Sequence, residues 1–366
     1  MGEDRRTRSD VLWLVHGWST RSRTGPPICP TESAKQHPPG LRGGSVVKDT
    51  LASAGRPVYR ADHGCIAVLL STYNGQRFLA GQLDSLRAQA HEDWVLYWRD
   101  DGSSDATPTI LRAFLDDLPG RVVALDDPGR YGATESFLRL LRAAVRDGHE
   151  TLAFADQDDV WLSDKLARGA AALATVPAAM PALYFARQRL VDPELRPLGL
   201  SLPIRRPPGF PAALTQNLAT GCTQMLNRAA AELVAASAAP AAANHDWWCY
   251  LLIAAAGGRL LHDATPTVLY RQHAGNTIGA PTGFFWRAIA AMRRGSAAFT
   301  SVLRQNVAAL ADQPHLLAPS AREQVGVLAA ALRGGMLDRV RALRMPGLRR
   351  QTWPETLVFR LWFLLG

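Results

Sequence analysis

Apolar and polar residues fall along this chain in blocks. Cys65-Ile-Ala-Val-Leu-Leu70 is an unbroken apolar run that stops at Ser71-Thr-Tyr-Asn-Gly75. That is the pattern of a strand buried on both faces and closed by a loop. Residues 78–89 then carry Leu79, Leu83 and Leu86 at helical spacing. Residues 94–98 predict a second strand, ending in Arg99-Asp-Asp-Gly-Ser-Ser-Asp105. A helix over 107–115, a strand over 121–125, a helix over 136–145 and a strand over 151–155 follow, the last running into Asp156-Gln-Asp-Asp159. Such alternation means crossover connections on a parallel sheet. Ligands collect at the carboxyl ends of such strands, so these three polar or acidic strand ends should converge on one cleft.

The flanks differ. Residues 1–63 are broken by Pro-Pro, Gly-Gly and Ser/Thr/Arg clusters and read as a disordered tail or a mis-assigned start. From residue 284 the chain becomes helical and Ala/Arg/Leu-rich, ending in an aromatic and aliphatic stretch beside Arg349, Arg350 and Arg360. The expected organisation is a tail over 1–63, an α/β domain over 64–283 and a basic helical extension over 284–366.

Composition narrows the class. With 366 residues and 47% hydrophobic content, the chain can bury a sizeable core and is not largely disordered. Its four cysteines (Cys29, Cys65, Cys222, Cys249) are widely spaced and form no C-x-x-C, which excludes a disulfide scaffold, a zinc ribbon and a thioredoxin-type site. The net charge of +9 is carried by the ends: residues 284–366 hold 12 Arg against 4 acids, and the middle is mildly acidic. A nucleic-acid enzyme would place positive charge around its cleft. A basic C-terminal third suits an anionic surface such as the inner leaflet of a membrane. No apolar run is long enough for a clear transmembrane helix, so the expected location is cytoplasmic, peripheral on the inner face of the membrane.

The acidic strand ends carry the candidate chemistry. Three carboxylates within Asp156–Asp159 repel one another and call for a cation; Mg²⁺ is held by one or two carboxylates plus substrate phosphates. The same cluster also suits the N-terminus of the helix that follows. Asp100-Asp101-Gly102-Ser103-Ser104-Asp105 reads as a strand-to-helix turn, which accounts for Gly102, Ser104 and Asp105 but does not require the Asp100–Asp101 pair.

Taken together, Ser71-Thr72-Tyr73-Asn74, the Asp-Asp-Gly-Ser-Ser-Asp block and Asp-Gln-Asp-Asp-Val-Trp161 in this order resemble family-2 glycosyltransferases. The form Asp-Gln-Asp-Asp-Val-Trp, followed by Leu162-Ser-Asp-Lys-Leu166, is most similar to bacterial rhamnosyltransferases of surface-polysaccharide assembly. The resemblance runs from about residue 65 to residue 279. It implies a GT-A fold, a Rossmann-like and mostly parallel sheet flanked by helices. It also implies inverting transfer of a sugar, L-rhamnose from dTDP-rhamnose in the first instance, to a saccharide or lipid-linked saccharide acceptor.

The resemblance assigns roles. Thr72, Tyr73, Asn74, Asp100, Asp101 and Gln157 would bind the nucleotide-sugar, and Arg271 in Tyr270-Arg-Gln-His273 would pair with its diphosphate. Asp156 and Asp158 match the D-x-D element that holds Mg²⁺ or Mn²⁺, with His273 as third ligand or diphosphate donor. Gly221 and Cys222 in Thr220-Gly-Cys-Thr-Gln-Met225 would floor the acceptor site, or form a tight turn into a buried strand. Asp246 in Asn244-His-Asp-Trp-Trp248 would be the general base, and it also suits a helix cap. Trp247 and Trp248 could stack on a sugar or belong to the core.

Two departures bear on the donor. Arg99 stands where relatives usually carry a small residue, and Arg130 and Ser136 stand where they usually carry Asn. A UDP-sugar donor is the alternative within the fold. No Q-x-x-R-W of processive synthases is present, which favours single addition. A nucleotidyltransferase would need a Gly-rich basic loop after the first strand, which Ser71–Gly75 is not. An inactive nucleotide-sugar-binding partner would not need Asp156, Asp158 and Asp246.

Overall fold

A computed structural model of the chain describes residues 64–241, 243–273 and 284–366, with only the backbone over 284–296 and at 298. The expectation for 1–63 and the segment 274–283 lie outside the described residues. All described residues belong to one compact unit.

The first half alternates as the hydrophobic pattern requires: β1 (Ile66–Thr72), α1 (Leu79–Arg87), β2 (Trp94–Asp100), α2 (Thr107–Asp117), β3 (Val122–Ala124), α3 (Gly132–Arg146) and β4 (Thr151–Ala155). These strands pair in parallel in the order β3-β2-β1-β4. Side chains along β1 alternate between two cores. Ile66, Val68 and Leu70 point to one, with α1 and α2; Ala67 and Leu69 point to the other, with α3.

The second half is mixed. After β5 (Val160–Trp161) and α4 (Lys165–Leu173) come β6 (Ala182–Val191), β7 (Pro197–Leu200), β8 (Met225–Asn227), α5 (Arg228–Ala235), α6 (His245–Ala255) and β9 (Arg259–Arg271). Strand β8 enters antiparallel between β4 and β6, β9 runs parallel to β6, and β5 joins the far side of β9 antiparallel. The α/β class holds; the sheet is parallel in its first half and mixed in its second.

The C-terminal region is helical as expected: α7 (Phe284–Ala311), α8 (Pro319–Arg333), α9 (Met336–Ala342) and α10 (Trp353–Leu365). It shares the core of the sheet domain. Leu303, Val307, Leu310 and Phe359 lie in one apolar cluster with Phe154, Trp248 and Leu251. Ala318 N–H donates to the carbonyl of Ala255 at the end of α6 (3.0 Å). No described helix is long and apolar enough to cross a membrane.

Candidate active site

The strand ends converge, but their polar side chains are largely engaged with one another. Thr72 is buried; its hydroxyl donates to Asp100 Oδ1 (2.9 Å) and accepts from Trp98 Nε1 (3.0 Å). Asp100 also accepts from Gly102 N, Ser103 N and Ser103 Oγ. Asp101 accepts from Tyr131 N (2.8 Å), Gly132 N (2.9 Å), Ser136 Oγ (3.1 Å) and Arg99 Nη1 (2.7 Å). Burial works to raise the Asp101 pKa, and the bonds from Tyr131, Arg99, Gly132 and Ser136 overcome it and hold the carboxyl below its ordinary value. Both carboxylates therefore fix loops. Asp100 holds the turn into α2, and Asp101 holds the start of α3, where Gly132 takes φ +78°.

Arg99 explains its own departure from the family pattern. It is fully buried and bonds Asp101 and Ser136 (2.6 Å), the carbonyls of Asp127 and Gly129, and stacks on Tyr131 (4.7 Å). Arg99 and Ser136, two of the unusual residues, form one interaction.

Gln157 clasps the first loop to the fourth. It accepts from Tyr73 N (2.9 Å) and donates to Tyr73 O (3.0 Å). Gly75 makes room for it, because a Cβ there would lie 2.3 Å from Gln157 Oε1. Asn74, at φ +47°, accepts from Ser104 N (2.9 Å) and donates its own N–H to Ser103 Oγ (2.8 Å). The Arg130 guanidinium covers the Tyr73 ring at 4.7 Å. Of the expected nucleotide-sugar contacts, Thr72, Asp100, Asp101 and Gln157 thus serve mainly to shape the rim, while Tyr73 and Asn74 stand on it.

Beyond β4 the acidic cluster meets the end of β9. His273 Nε2 lies 2.8 Å from Asp158 Oδ2 and its ring packs on Phe78 (4.8 Å). Arg271 is buried: its N–H donates to Asp159 Oδ1 (3.0 Å), its Nε to the Asp158 carbonyl (2.8 Å), and its guanidinium sits over Phe78 (4.5 Å). Arg271 therefore holds the acidic loop in place. Burial and the charges of Asp158 and Asp246 push the Asp156 carboxyl well above the usual carboxylate range. Asp159, fully buried, is raised by burial, Asp158 and Asp156. The Lys165 ammonium lies under this cluster, with no hydrogen-bond partner among the described residues, 3.7 Å over the Trp161 ring. Burial lowers it to about 7. Lys165 and Arg271 stand beside three carboxylates, so the cluster is one positive charge short.

That shortage fits a divalent cation. Oxygen atoms of Asp156 and Asp159 lie with Cys222 Sγ within 4.8 Å of one another. Burial and the neighbouring Asp159 and Asp156 hold the Cys222 thiol well above its ordinary pKa. Carboxylate oxygens and an imidazole nitrogen are the donors a hard or borderline cation takes. Cys222 instead fills the core behind the cluster, fully buried.

Asp246 occupies the first turn of α6. Its Oδ1 accepts from Trp247 N (2.6 Å), its Oδ2 from Gly221 N (3.2 Å), and the Asn217 side chain bonds it as well. Gly221 is needed for this approach, since a Cβ there would come within 2.9 Å of His245 Nε2. Burial raises the Asp246 pKa to about 6 against those bonds. The two tryptophans separate: Trp247 is half-buried and donates to the Ala213 carbonyl (2.8 Å), whereas Trp248 is in the core and donates to Ser237 Oγ (2.9 Å). Trp248 has no face left for a sugar.

Asn217, Asp159 and Lys165 belong to the site without having been assigned a role from the sequence. Asp159 and Lys165 stand in the quoted motif and could have been found there; Asn217 has no local signal.

Residues 67–232 match the family model described as Glycosyl transferase family 2. A dTDP-rhamnosyl transferase of Shigella flexneri is 32% identical over 98 residues, covering 26% of this chain and 34% of that protein. An Escherichia coli glucosyltransferase, named for UDP-Glc and a GlcNAc-diphosphoundecaprenol, is 28% identical over 105 residues, covering 29% of this chain and 39% of that protein. The aligned stretches thus span between a third and two fifths of these relatives. Among solved structures, residues 1–349 of TarS from S. aureus with UDP align at 14% identity and TM-score 0.46, covering 76% of this chain and 78% of that one. Residues 67–232 thus match a family 2 glycosyltransferase domain, and they form the sheet run β3-β2-β1-β4-β8-β6 with its flanking helices.

Proposed function

We propose that the chain is an inverting glycosyltransferase that moves a sugar from a nucleotide-sugar to a saccharide or lipid-linked saccharide acceptor in cell-surface polysaccharide assembly. It would act at the cytoplasmic face of the membrane. The observation that carries this reading is Asp246: a carboxylate fixed by two backbone N–H groups, raised to about 6, and close enough to Asp156 for the two charges to interact. A general base works best with a pKa near the operating pH.

In the proposed step the acceptor oxygen attacks the anomeric carbon and the bond from that carbon to the diphosphate oxygen breaks. The nucleoside diphosphate departs with the bonding pair, and the acceptor proton passes to Asp246. Asp156, Asp158 and His273 would hold Mg²⁺ or Mn²⁺, which when bound balances charge on the leaving diphosphate. Tyr73 and Asn74 line the nucleotide on the opposite rim. Gly221 and Trp247 flank the acceptor.

The finer donor assignment is dTDP-β-L-rhamnose, giving an α-rhamnoside. It is supported by the Asp-Gln-Asp-Asp-Val-Trp form and by the name of the Shigella relative. The E. coli relative, named for UDP-Glc, keeps a UDP-sugar as the competing donor. Incubation with UDP-, GDP- and dTDP-sugars, with and without Mn²⁺ or Mg²⁺, tests both points. Metal-dependent nucleotide release from one donor supports the reading and names the sugar. Absence of binding to every donor would refute it.

A further inference from the structure

Helix α10 is apolar on two faces. Phe359 and Phe363 are buried, and Phe359 meets Phe299 of α7 edge-on at 5.9 Å. On the other side Trp353, Leu357, Leu361 and Leu365 recur every four residues and are exposed, Trp353 by 72% and Leu365 by 68%. A helix that only packs on its own domain needs the first stripe and not the second. Neighbouring α9 adds exposed Met336 and Leu337, and Arg339 Nη1 ties the two helices through the Leu364 carbonyl (3.0 Å).

Arginines from three segments meet at the start of this stripe. Arg206, from the loop after β7, Arg349, from the loop before α10, and Arg360 line a cavity of about 310 Å³ with Trp353, Thr356 and Leu357. Arg206 is braced by the Arg350 carbonyl (2.7 Å). None of the three forms an ion pair among the described residues. The acid of α10, Glu355, turns back onto Thr352 (3.0 Å to Oγ1) as a helix cap. Cationic side chains without carboxylate partners, beside an exposed aromatic and a leucine stripe, match the two layers of an anionic lipid surface.

We infer that this pocket takes the phosphate of an anionic lipid headgroup while the α10 stripe enters the acyl boundary, docking the chain on the membrane. The inference also deepens the lipid-linked acceptor reading and rests on it for that part. Gln216 Oε1 accepts from Gln351 N (3.3 Å) and Arg350 Nε (3.4 Å), and Thr215 Oγ1 bonds the Arg349 carbonyl (3.3 Å). The next residue, Asn217, bonds Asp246. The backbone at Arg349 is thus tied to Thr215, Arg350 and Gln351 to Gln216, and these adjoin Asn217, which bonds the base.

The test is flotation of the full chain with vesicles of phosphatidylcholine alone, or with about a third phosphatidylglycerol. Binding is expected to the anionic vesicles only. The Arg349→Gln/Arg360→Gln variant should weaken it about twenty-five-fold, taking about fivefold per arginine. Arg112→Gln/Arg146→Gln, which removes the same charge from exposed positions on α2 and α3, should leave it unchanged. Equal binding to neutral vesicles, no loss in the first variant, or equal loss in the second would each overturn the proposal. So would titration of inorganic phosphate onto the pocket without vesicle binding, which would make the ligand a soluble anion. No donor is present in flotation, and nucleotide release by the Arg349→Gln/Arg360→Gln variant should match that of the unaltered chain. Failure of docking and failure of the transferase reading are thus read separately.

Discussion

Replacing Asp246 by Asn tests the proposed base most directly. The substitution keeps the shape and one carbonyl oxygen for Trp247 N, so α6 should still start where it does. It removes the ability to take a proton. With the carboxyl at about 6, roughly thirty of every thirty-one molecules are ionised at pH 7.5 and about one in eleven at pH 5. Because the ionised form is the active one, transfer should rise with pH through about 6, by about tenfold between pH 5 and 7.5. In Asp246→Asn that acid limb should vanish and kcat should fall by about a hundredfold to ten-thousandfold, the usual contribution of a positioned base. Donor affinity should stay unchanged. The assay is steady-state transfer to a saccharide acceptor across pH 5 to 8, with donor affinity measured separately by calorimetry. A variant that keeps its activity, or an unaltered chain with a flat profile over that range, would refute the assignment of Asp246 as base.

Other outcomes follow from the same geometry. Asp158→Asn, which weakens the contact with His273, should abolish the rise in melting temperature on adding Mn²⁺ and with it metal-dependent nucleotide release; an unchanged Mn²⁺ shift would remove Asp158 from the cation site. Arg99→Met leaves the Asp101 carboxylate buried without its cation and should cost about 3–5 kcal/mol in urea unfolding at neutral pH. Since the Asp101 pKa is depressed in the folded chain, its contribution is present above the ordinary carboxylate pKa and fades as pH falls below it, so the Arg99→Met deficit should shrink in acid. Gly75→Ala should displace Gln157 from Tyr73 and lose about 2 kcal/mol, two neutral hydrogen bonds, with a parallel rise in the donor KM.

The first half of the fold was legible because its strands are short apolar runs paired to near neighbours, and each predicted element from β1 to β4 appears within a few residues of its expected place. Helix α3 begins at Gly132 rather than 136, since Asp101, thirty-one positions earlier, holds the Gly132 N–H. The second half was hidden. Strand β9 covers Arg259–Arg271 and carries Arg259, His262, Asp263 and Pro266, which break any strand pattern in the sequence. Its pairing with β6 shifts register twice, so no local alternation marks it. At the site, residue types announced the acidic clusters. They could not announce that the lone pairs of Asp100 and Asp101 are filled from Thr72, Tyr131 and Ser136, or that Arg271 donates to the carbonyls of Asp158 and Pro193 and lies over Phe78.

The strand order also bears on how the chain matures as it leaves the ribosome. Strands β1 to β4 pair only with one another until β8 arrives at Met225, seventy positions after β4 ends, and the face carrying Leu69 and Phe154 stays open until Trp248, Leu251 and Leu303 follow. During that interval one edge of β4 is bare, a row of unpaired peptide groups able to recruit the wrong strand. Synthesis speed between residues 155 and 225 is thus a determinant of yield. A pause there lengthens the exposure of that edge, and rapid passage lets β8 cover it.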